Sequence, residues 1–345
     1  MSIVGISVNA SRGGPLPAPC YGSWQEAIKD AVRDPAELCR LLDLPPRYTA
    51  GAVQAAGDFP VFVPRGYLAR MRPGDPADPL LRQVLPLEDE LAAVAGYSLD
   101  PVGDRAVTRS PGLLHKYRSR VLMVTTGACA VHCRYCFRRH FPYAQGPRSP
   151  DDWTSAIGLI AADPAIREVI LSGGDPLTLV DTHLAELVAR LAAIGHLRRL
   201  RVHTRLPIMV SQRVTEELVS LLRSSRLVPL VVVHANHARE LDESVATALA
   251  RLVDAGIPLL NQSVLLRGVN DDVDTLAELC ERLVDLRVMP YYLHQMDRVA
   301  GAAHFEVDES RGRALIKQLR VRLSGYAVPR YVRETAGAAH KLPLA

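Results

Sequence analysis

Beyond about residue 120 the sequence alternates between short apolar runs and amphipathic stretches, and this pattern limits the possible folds more than any other feature. The apolar runs are rich in Val, Ile and Leu and have the length of strands. We predict strands at 121–126, 168–172, 200–204, 227–234, 258–266 and 287–294. We predict helices between them at 152–162, 183–193, 215–224, 244–254 and 276–286.

Strands that alternate with helices in this way pair in parallel, because each helix carries the chain back to the start of the next strand. Six such units form either an open, doubly wound α/β sheet or a partial (β/α)6 barrel. Periodicity does not choose between these two architectures. In both of them chemistry gathers where the parallel strands end, so functional side chains are expected at that edge.

Residues 1 to about 105 have a different character, with no strand alternation and several breaks at Pro and Gly. One short amphipathic helix is predicted at 24–33. Asp34 has the residue type of an N-cap, which predicts a second helix that is stopped by Pro45-Pro46. The chain thus divides into a mainly helical or irregular N-terminal portion at 1–105, an α/β unit at 106–330 and a C-terminal segment at 331–345.

The composition is that of a globular protein, with 48% hydrophobic and 23% charged residues. No apolar run approaches the roughly 20 residues that a membrane span needs. The first residues lack the pattern of an export signal. The net charge of +4, from 41 basic and 37 acidic residues, is too small to indicate nucleic acid as a partner. These features predict a cytoplasmic protein that binds neither membrane nor nucleic acid.

Three cysteines stand close together directly after the first predicted strand, in the order Cys-x3-Cys-x2-Cys: Cys129, Cys133 and Cys136. Thiolate is the ligand that iron–sulfur clusters take, and three thiolates on one loop can each bind one iron of a cubane cluster. The fourth iron then has no ligand in the motif and is open to a small molecule.

Zinc is the main alternative for this loop, with His132 or His140 completing the ligand set. It is disfavoured because the chain has no second Cys-x2-Cys pair. Disulfides are disfavoured too, since the other three cysteines, Cys20, Cys39 and Cys280, are scattered along the chain.

Polar residues gather at the ends of the predicted strands, where ligands are expected. The run Gly173-Gly174-Asp175 follows the second strand, and paired glycines let backbone approach a ligand closely. Buried polar groups need partners, so polar residues on successive strands predict a pocket rim. Those on the later strands are His203, Arg205, His234, Gln262 and His294. A basic run in and after the cysteine loop is expected to serve anionic ligands; it consists of Arg134, Arg138, Arg139 and His140.

The cysteine loop resembles that of the radical S-adenosylmethionine (SAM) enzymes, and the surrounding chain is similar to their lysine 2,3-aminomutase family. The similarity covers about residues 110–345. Its motifs are His115-Lys-Tyr-Arg-Ser-Arg120, Cys136-Phe-Arg-Arg-His-Phe-Pro-Tyr143, Leu171-Ser-Gly-Gly-Asp175, Asn261-Gln-Ser-Val-Leu-Leu266, Gly268-Val-Asn270, Pro290-Tyr-Tyr-Leu-His-Gln295 with Asp297, and Ser324-Gly-Tyr326. Within the family, the run at 137–143 resembles the branch that serves (R)-β-lysylation of elongation factor P.

The resemblance implies the partial (β/α)6 barrel, and it implies a [4Fe–4S] cluster bound by Cys129, Cys133 and Cys136. It further implies that SAM binds the open iron. The positions that correspond to SAM contacts are Tyr135 for the adenine, Gly173, Gly174 and Asp175 for the methionyl amino group, and His234 and Gln262 as further candidates.

Members of the family also use pyridoxal 5′-phosphate, and the resemblance implies that Lys341 holds it as a Schiff base. On residue type alone Lys341 would be a solvated tail residue. The Gly-rich sequence that precedes this lysine in free-lysine aminomutases is missing here. The positions that correspond to phosphate contacts are Lys116, Tyr117 and Arg120.

Substrate contacts follow from the same resemblance. Arg138 corresponds to the arginine that binds the α-carboxylate of lysine, where a guanidinium fork fits. Asp297 and Glu334 correspond to the two acids that hold the ε-ammonium, although many members have aspartate at the second position. On residue type alone, Asp297 could be a helix N-cap and Glu334 a solvated surface acid.

The activity implied is conversion of (S)-α-lysine to (R)-β-lysine by a radical mechanism that depends on SAM, pyridoxal phosphate and an electron donor. The product would modify elongation factor P, with the factor and its lysyl ligase as pathway partners. Free-lysine aminomutases, which make β-lysine as a metabolite, carry a cysteine-rich C-terminal extension and place a zinc cysteine where this chain has Asp272. This chain ends soon after Lys341 and has no cysteine beyond Cys280, which favours the elongation factor P branch. A non-catalytic metal-binding scaffold that kept the fold is the alternative from another class.

Overall fold

The N-terminal part of the chain folds into short helices joined by turns, in a computed structural model that describes residues 16–57 and 59–345. These helices are α1 (Trp24–Lys29), α2 (Pro35–Leu41), α3 (Pro46–Ala55), α4 (Arg65–Leu68) and α5 (Pro79–Arg82). Asp34 caps α2 by accepting a hydrogen bond from the Ala36 backbone, as predicted. The sequence did not predict α3. Pro46 begins it because the fixed φ of proline suits a first helical position.

Within the described residues, ten strands form one sheet whose order in space follows their order in the chain. The strands are β1 (Thr108–Ser110), β2 (Leu113–Tyr117), β3 (Arg120–Thr126), β4 (Glu168–Gly173), β5 (Arg199–Thr204), β6 (Val228–Val233), β7 (Leu259–Leu265), β8 (Met289–Gln295), β9 (Arg330–Arg333) and β10 (Leu342–Pro343). Strands β3 to β9 are parallel, whereas β1, β2 and β10 pair antiparallel at the two ends. The six predicted strands correspond to β3–β8 and are confirmed.

Each strand from β3 to β8 is followed by a helix. The helices are α6 (Thr154–Ala162), α7 (Asp181–Ala192), α8 (Leu206–Met209), α9 (Glu216–Ser224), α10 (Glu243–Asp254), α11 (Val273–Asp285) and α12 (Glu309–Arg322). Because the strand order never reverses, right-handed crossovers place these helices on one side of the sheet. A doubly wound sheet requires a reversal, so the order identifies a partial (β/α)6 barrel. None of the helices at 16–57 and 59–345 has both the length and the apolar character of a membrane span.

The N-terminal helices and the barrel share one hydrophobic core. Trp24, Leu38 and Tyr67 belong to the same cluster of buried side chains as Leu171 in β4 and Val231 in β6. The N-terminal portion therefore packs directly on the barrel. At the other end of the chain, β9 crosses the proposed boundary at residue 330 and pairs with β8, so the C-terminal segment is joined to the sheet.

Candidate active site

The inner face of the barrel carries partly exposed polar side chains. In β7 buried and partly exposed residues alternate without interruption, and Gln262 is one of the partly exposed ones. His203 in β5 and His294 in β8 are partly exposed in the same alternating way. Burial and the nearby charge of Lys341 lower the pKa of His294, so this imidazole is neutral. Helices cover the opposite face of the strands, so these polar residues line an interior that can hold a ligand.

The three predicted cluster ligands lie in the loop after β3, and all of them are free thiols. Burial raises the pKa of Cys136 to about 11, and the neighbouring Cys133 adds to the shift. Burial also raises the pKa of Cys129, with contributions from Cys136, Asp175 and Cys133. The three thiols of the loop thus lie in a place that disfavours bare thiolates. A bound cation offsets that cost, so the donor set fits the irons of a cluster.

Within residues 16–57 and 59–345, no three His, Cys, Asp or Glu side chains meet where a single metal ion could bind. A cubane cluster needs no such meeting point, because each thiolate binds a different iron. One cation is already directed at the loop: Arg205, at the end of β5, donates a 2.8 Å hydrogen bond from Nη1 to the sulfur of Cys133. Its other amino group donates to Gln83 at 2.6 Å and to Glu240 at 2.9 Å.

The Gly173-Gly174-Asp175 loop lies directly against the start of the cysteine loop. The backbone N–H groups of Gly174 and Asp175 donate to the carbonyls of Thr126 and Ala128, at 2.8 and 2.7 Å. A Cβ on Gly174 would lie 2.1 Å from the Ala128 oxygen, so this close approach requires glycine. The glycine pair therefore brings the loop after β4 against the loop that carries the cysteines.

The Asp175 carboxylate is held by protein donors. It accepts hydrogen bonds from the Thr204 hydroxyl at 2.7 Å and from the backbone N–H groups of Arg205 and Leu206 at 2.7 and 2.9 Å. Burial raises its pKa, although these bonds favour the ionised form. Asp175 thus ties the end of β4 to the end of β5, and its part in SAM binding stays a prediction.

Tyr135 lies inside the cysteine loop with a buried ring. Its hydroxyl accepts a 2.8 Å hydrogen bond from the Asn236 amide and lies 3.2 Å from Nε2 of His234. Burial and the charge of Arg205 lower the pKa of His234 to about 3, so its imidazole is neutral. A neutral imidazole beside an aromatic ring suits a heteroaromatic base, which is the group that the resemblance assigns to these residues.

Lys341 is folded back onto the barrel. It immediately precedes β10, whose pairing with β9 returns the chain to the sheet. Its ammonium pairs with Glu334, which also accepts a 2.8 Å hydrogen bond from the Tyr117 hydroxyl. Lys116 Nζ lies 3.6 Å from the same carboxylate. Burial alone would raise the pKa of Glu334, but Lys341, Tyr117 and Lys116 together hold it below its usual value.

Asp104, which sequence reasoning missed, joins this group to Arg138. It accepts a 2.8 Å hydrogen bond from Arg138 Nε, and its other oxygen lies 2.9 Å from Lys116 Nζ. Asp104 is buried, which opposes ionisation, but the charges of Arg138 and Lys116 hold its pKa below the usual value. Charges of alternating sign therefore run from Arg138 through Asp104 and Lys116 to Glu334 and Lys341.

Asp297 faces the same group from the end of β8. Burial raises its pKa to about 7, and the charge of Lys341 only partly offsets this shift.

Nearby, the Arg120 guanidinium lies 4.1 Å from the centre of the Tyr117 ring. His203 Nε2 is buried without a hydrogen-bond partner in the described part of the chain. An unpaired imidazole and several cations around one interior fit a phosphorylated heterocycle such as pyridoxal phosphate.

The expectation that the whole basic run serves anionic ligands was wrong for two of its members. Arg134 and Arg139 pair with Glu90 of the N-terminal portion. Glu90, Gln83 and Asp104 all come from a segment without periodic pattern, so sequence reasoning did not find them. The sequence did hold one indication that such acids exist: several arginines stand around the cysteines, and buried guanidinium groups require acids as partners.

The chain is similar in sequence to known proteins of one family. Residues 123–280 match the model of the Radical SAM superfamily. The chain is 47% identical to the L-lysine 2,3-aminomutase of Escherichia coli, over 95% of this chain and 96% of that protein. It is 43% identical to the enzyme of the same name from Haemophilus influenzae, over 92% and 94%. A third relative of that name, from Buchnera aphidicola, is 40% identical over 92% of this chain and 94% of its own.

Proposed function

This chain belongs to the L-lysine 2,3-aminomutase family of the radical SAM superfamily, and from that membership we propose that it makes (R)-β-lysine from (S)-α-lysine for elongation factor P. It is an isomerase, a lysine 2,3-aminomutase, and a [4Fe–4S] cluster and SAM are the cofactors of its superfamily. Pyridoxal phosphate on Lys341 is part of the proposal. The observation that carries it is the contact of Lys341 with Glu334 and, through Lys116 and Asp104, with Arg138.

The cofactors supply radical chemistry and a carrier for the migrating amino group, and the protein binds, orients and shields them. Cys129, Cys133 and Cys136 would hold the cluster, and the glycine pair after β4 would hold SAM beside it. The fit rests on the three free thiols of one loop and on the backbone approach that Gly174 permits. Tyr135, Asp175, His234 and Gln262 remain the proposed SAM neighbours.

Lysine has an anionic end and a distant cationic end, and the site has groups for both. Arg138 would bind the α-carboxylate, with Asp104 fixing the orientation of the guanidinium through Nε. Asp297 and Glu334 would bind the ε-ammonium. A lysine whose ends meet these groups is held at both ends, which fixes the carbon atoms between them.

The pyridoxal group would be held from several sides. Lys341 supplies the amine that anchors it, and Lys116, Tyr117 and Arg120 surround the proposed phosphate position. Tyr117 and Lys116 already contact Glu334, so the phosphate site and the ammonium site share residues. This sharing supports binding of cofactor and substrate in one cavity.

Two observations support the branch that serves elongation factor P. The run at 137–143 resembles that branch. Asp272 caps α11 by accepting hydrogen bonds from the backbone N–H and the hydroxyl of Thr275, at 2.9 and 2.6 Å. The position that holds a zinc cysteine in the free-lysine enzymes is therefore occupied here by a helix cap. All six cysteines are free thiols, which suits the reducing cytoplasm where we propose that the enzyme works.

The deciding experiment is anaerobic. The protein is reconstituted with iron, sulfide and pyridoxal phosphate, supplied with SAM, a reductant and L-lysine, and β-lysine is sought by mass spectrometry. Cys133→Ala and Lys341→Ala should abolish product, whereas Cys280→Ala, a buried cysteine away from the loop, should not.

Three outcomes would change the proposal. Deoxyadenosine released without β-lysine would reject lysine as substrate. The absence of both deoxyadenosine and β-lysine would favour the metal-binding scaffold. Efficient turnover of free lysine in cells, with elongation factor P left unmodified, would favour the metabolic aminomutase.

A further inference from the structure

The buried carboxylate of Glu90 accepts three hydrogen bonds from two arginines in and just after the cysteine loop. Only 1% of its side chain is exposed. It accepts hydrogen bonds from Arg134 Nε at 2.8 Å, from Arg134 Nη2 at 2.6 Å and from Arg139 Nη2 at 2.7 Å. Arg134 lies between Cys133 and Cys136, and Arg139 follows Cys136 closely. One buried acid of the N-terminal portion thus holds two cations that flank the proposed cluster ligands.

Other contacts join the same two parts of the molecule. The backbone N–H groups of His132 and Arg134, on either side of Cys133, donate to the carbonyls of Phe62 and Gln83 at 3.1 and 2.9 Å. Arg134 Nη1 also donates to the Phe59 carbonyl at 2.6 Å. The backbone around Cys133 is therefore bound to the N-terminal portion, and the side chain of Arg134 is fully buried there.

The charges show why the acid matters. Arg134 and Arg139 are two buried guanidinium groups close to each other, and Glu90 is the carboxylate that both contact. Without it, two like charges would remain in a place with little water, and the loop would have to open to solvate them. Such a movement would displace Cys133 and Cys136, because Arg134 lies between them in the chain.

We propose that Glu90 is a positioning residue for the iron–sulfur cluster: it fixes Arg134 and Arg139, and through them the spacing of Cys133 and Cys136. The inference rests on the proposed cluster site. It gives the N-terminal portion a role in the chemistry, as the support against which the cluster loop is held.

The test compares Glu90→Gln with two other variants. Arg139→Gln removes one of the two cations but leaves the pair of Glu90 and Arg134. Asp242→Asn is the control, because Asp242 pairs with Arg70 at 2.6 Å and so links the same two parts of the molecule at another, more exposed place. Asparagine keeps the cap that Asp242 provides for α10.

Each protein is reconstituted anaerobically, iron per chain is measured, and the rate of iron loss to a chelator is followed. Partners bonded directly to metal ligands typically contribute about 10- to 100-fold to metal affinity, and Glu90 acts through arginines, so Glu90→Gln should lose iron faster by about tenfold, the lower end of that range. Arg139→Gln should show a smaller increase, and Asp242→Asn should match wild type. Circular dichroism and melting of the iron-free chains, recorded in parallel, show whether each variant is folded at the assay temperature.

Equal rates for folded Glu90→Gln and wild type would overturn the inference and leave the proposed function intact. Equally fast loss from Asp242→Asn would also overturn it, because the effect would then be a general loosening. If Glu90→Gln does not fold, Arg139→Gln decides, and a rate equal to that of Asp242→Asn rejects the inference. A wild-type protein that binds no iron would reject both the cluster site and the inference.

Discussion

The ammonium group of Lys341 pairs with the carboxylate of Glu334. Glu334 is one of the two acids proposed to bind the ε-ammonium of substrate lysine, and its partner in the structure is a lysine ammonium of the protein itself. The Glu334 carboxylate is therefore already placed to pair with a primary ammonium, which is the role that the proposed function gives it.

Glu334→Gln should weaken the binding of lysine more than the binding of pyridoxal phosphate. A hydrogen bond to a charged group contributes about 1.5–3 kcal/mol, so the KM for lysine should rise by about 10- to 100-fold. Bound pyridoxal phosphate, measured by its visible absorbance, should be retained. Glu309→Gln, which alters a more exposed pair with Arg333, is the control and should leave KM unchanged. An unchanged KM in Glu334→Gln would remove Glu334 from the ammonium site.

Asp297 should make lysine binding dependent on pH. Its pKa of about 7 means that the carboxylate ionises as the pH rises through neutrality, and only the ionised form attracts the ε-ammonium. We expect kcat/KM for lysine to increase between about pH 6 and 8, since this parameter reports groups of the free enzyme. Asp297→Asn should lower kcat/KM and abolish this rise. A rise that persists in the variant would have to come from another group.

The same residue should lower the stability of the folded protein. Its pKa is raised from 3.8 to about 7, so between these values the unfolded chain has released a proton that the folded protein still holds. Stability from this group therefore falls as the pH rises from 4 to 7 and stays low above that. Asp297→Asn removes this loss, so its gain in melting temperature over wild type should be larger at pH 8 than at pH 5. An equal gain at both pH values would contradict the raised pKa.

Asp104→Asn should separate substrate binding from cluster binding. The change weakens the contacts with Arg138 and Lys116, so the KM for lysine should rise about tenfold, the lower bound for a hydrogen bond to a charged group. Iron per chain should equal that of wild type, since Asp104 pairs with groups of the lysine site. Loss of iron would show that Asp104 supports the cysteine loop instead.

Gly174→Ala should disturb the contact between the two loops that surround the proposed SAM site. The new Cβ would lie 2.1 Å from the Ala128 oxygen, and such overpacking costs about 1–3 kcal/mol. We expect a lower melting temperature and reduced iron per chain. Gly158→Ala, on an open face of α6, should instead stabilise the protein by roughly 0.5–1 kcal/mol. Unaltered iron binding in Gly174→Ala would show that the loops can separate without harm.

Most elements of the barrel could be predicted because they are long enough to show their period, but α12 (Glu309–Arg322) was missed because its residues are mostly polar. β3 to β8 are apolar runs, and α7, α9, α10 and α11 have clear apolar faces. β1, β9 and β10 have four residues or fewer, too few for a pattern, and they form because neighbouring strands offer unpaired backbone groups. The choice of barrel over doubly wound sheet required the strand order, which periodicity does not contain.

The site residues also differ in whether the sequence alone could predict them. Cys129, Cys133 and Cys136 could be found from their spacing alone. Lys341 could be found only by resemblance, because its position depends on the pairing of β9 with β10. Glu90 and Asp104 could not be found, since each acts through an arginine that is distant in sequence and the pairing exists only in the folded chain.

The position of Lys341 also sets an order of assembly. The cysteine loop follows β3, the first parallel strand, whereas Lys341 joins the barrel only when β10 pairs with β9, the last. During synthesis the cysteines therefore leave the ribosome long before the lysine does. In the proposed enzyme the cluster ligands are thus present in the chain before the lysine that would hold pyridoxal phosphate, and that lysine reaches the barrel through the hairpin of β9 and β10. A chain that lacked β10 would keep the cysteine loop but lose the strand pairing that returns Lys341 to the sheet.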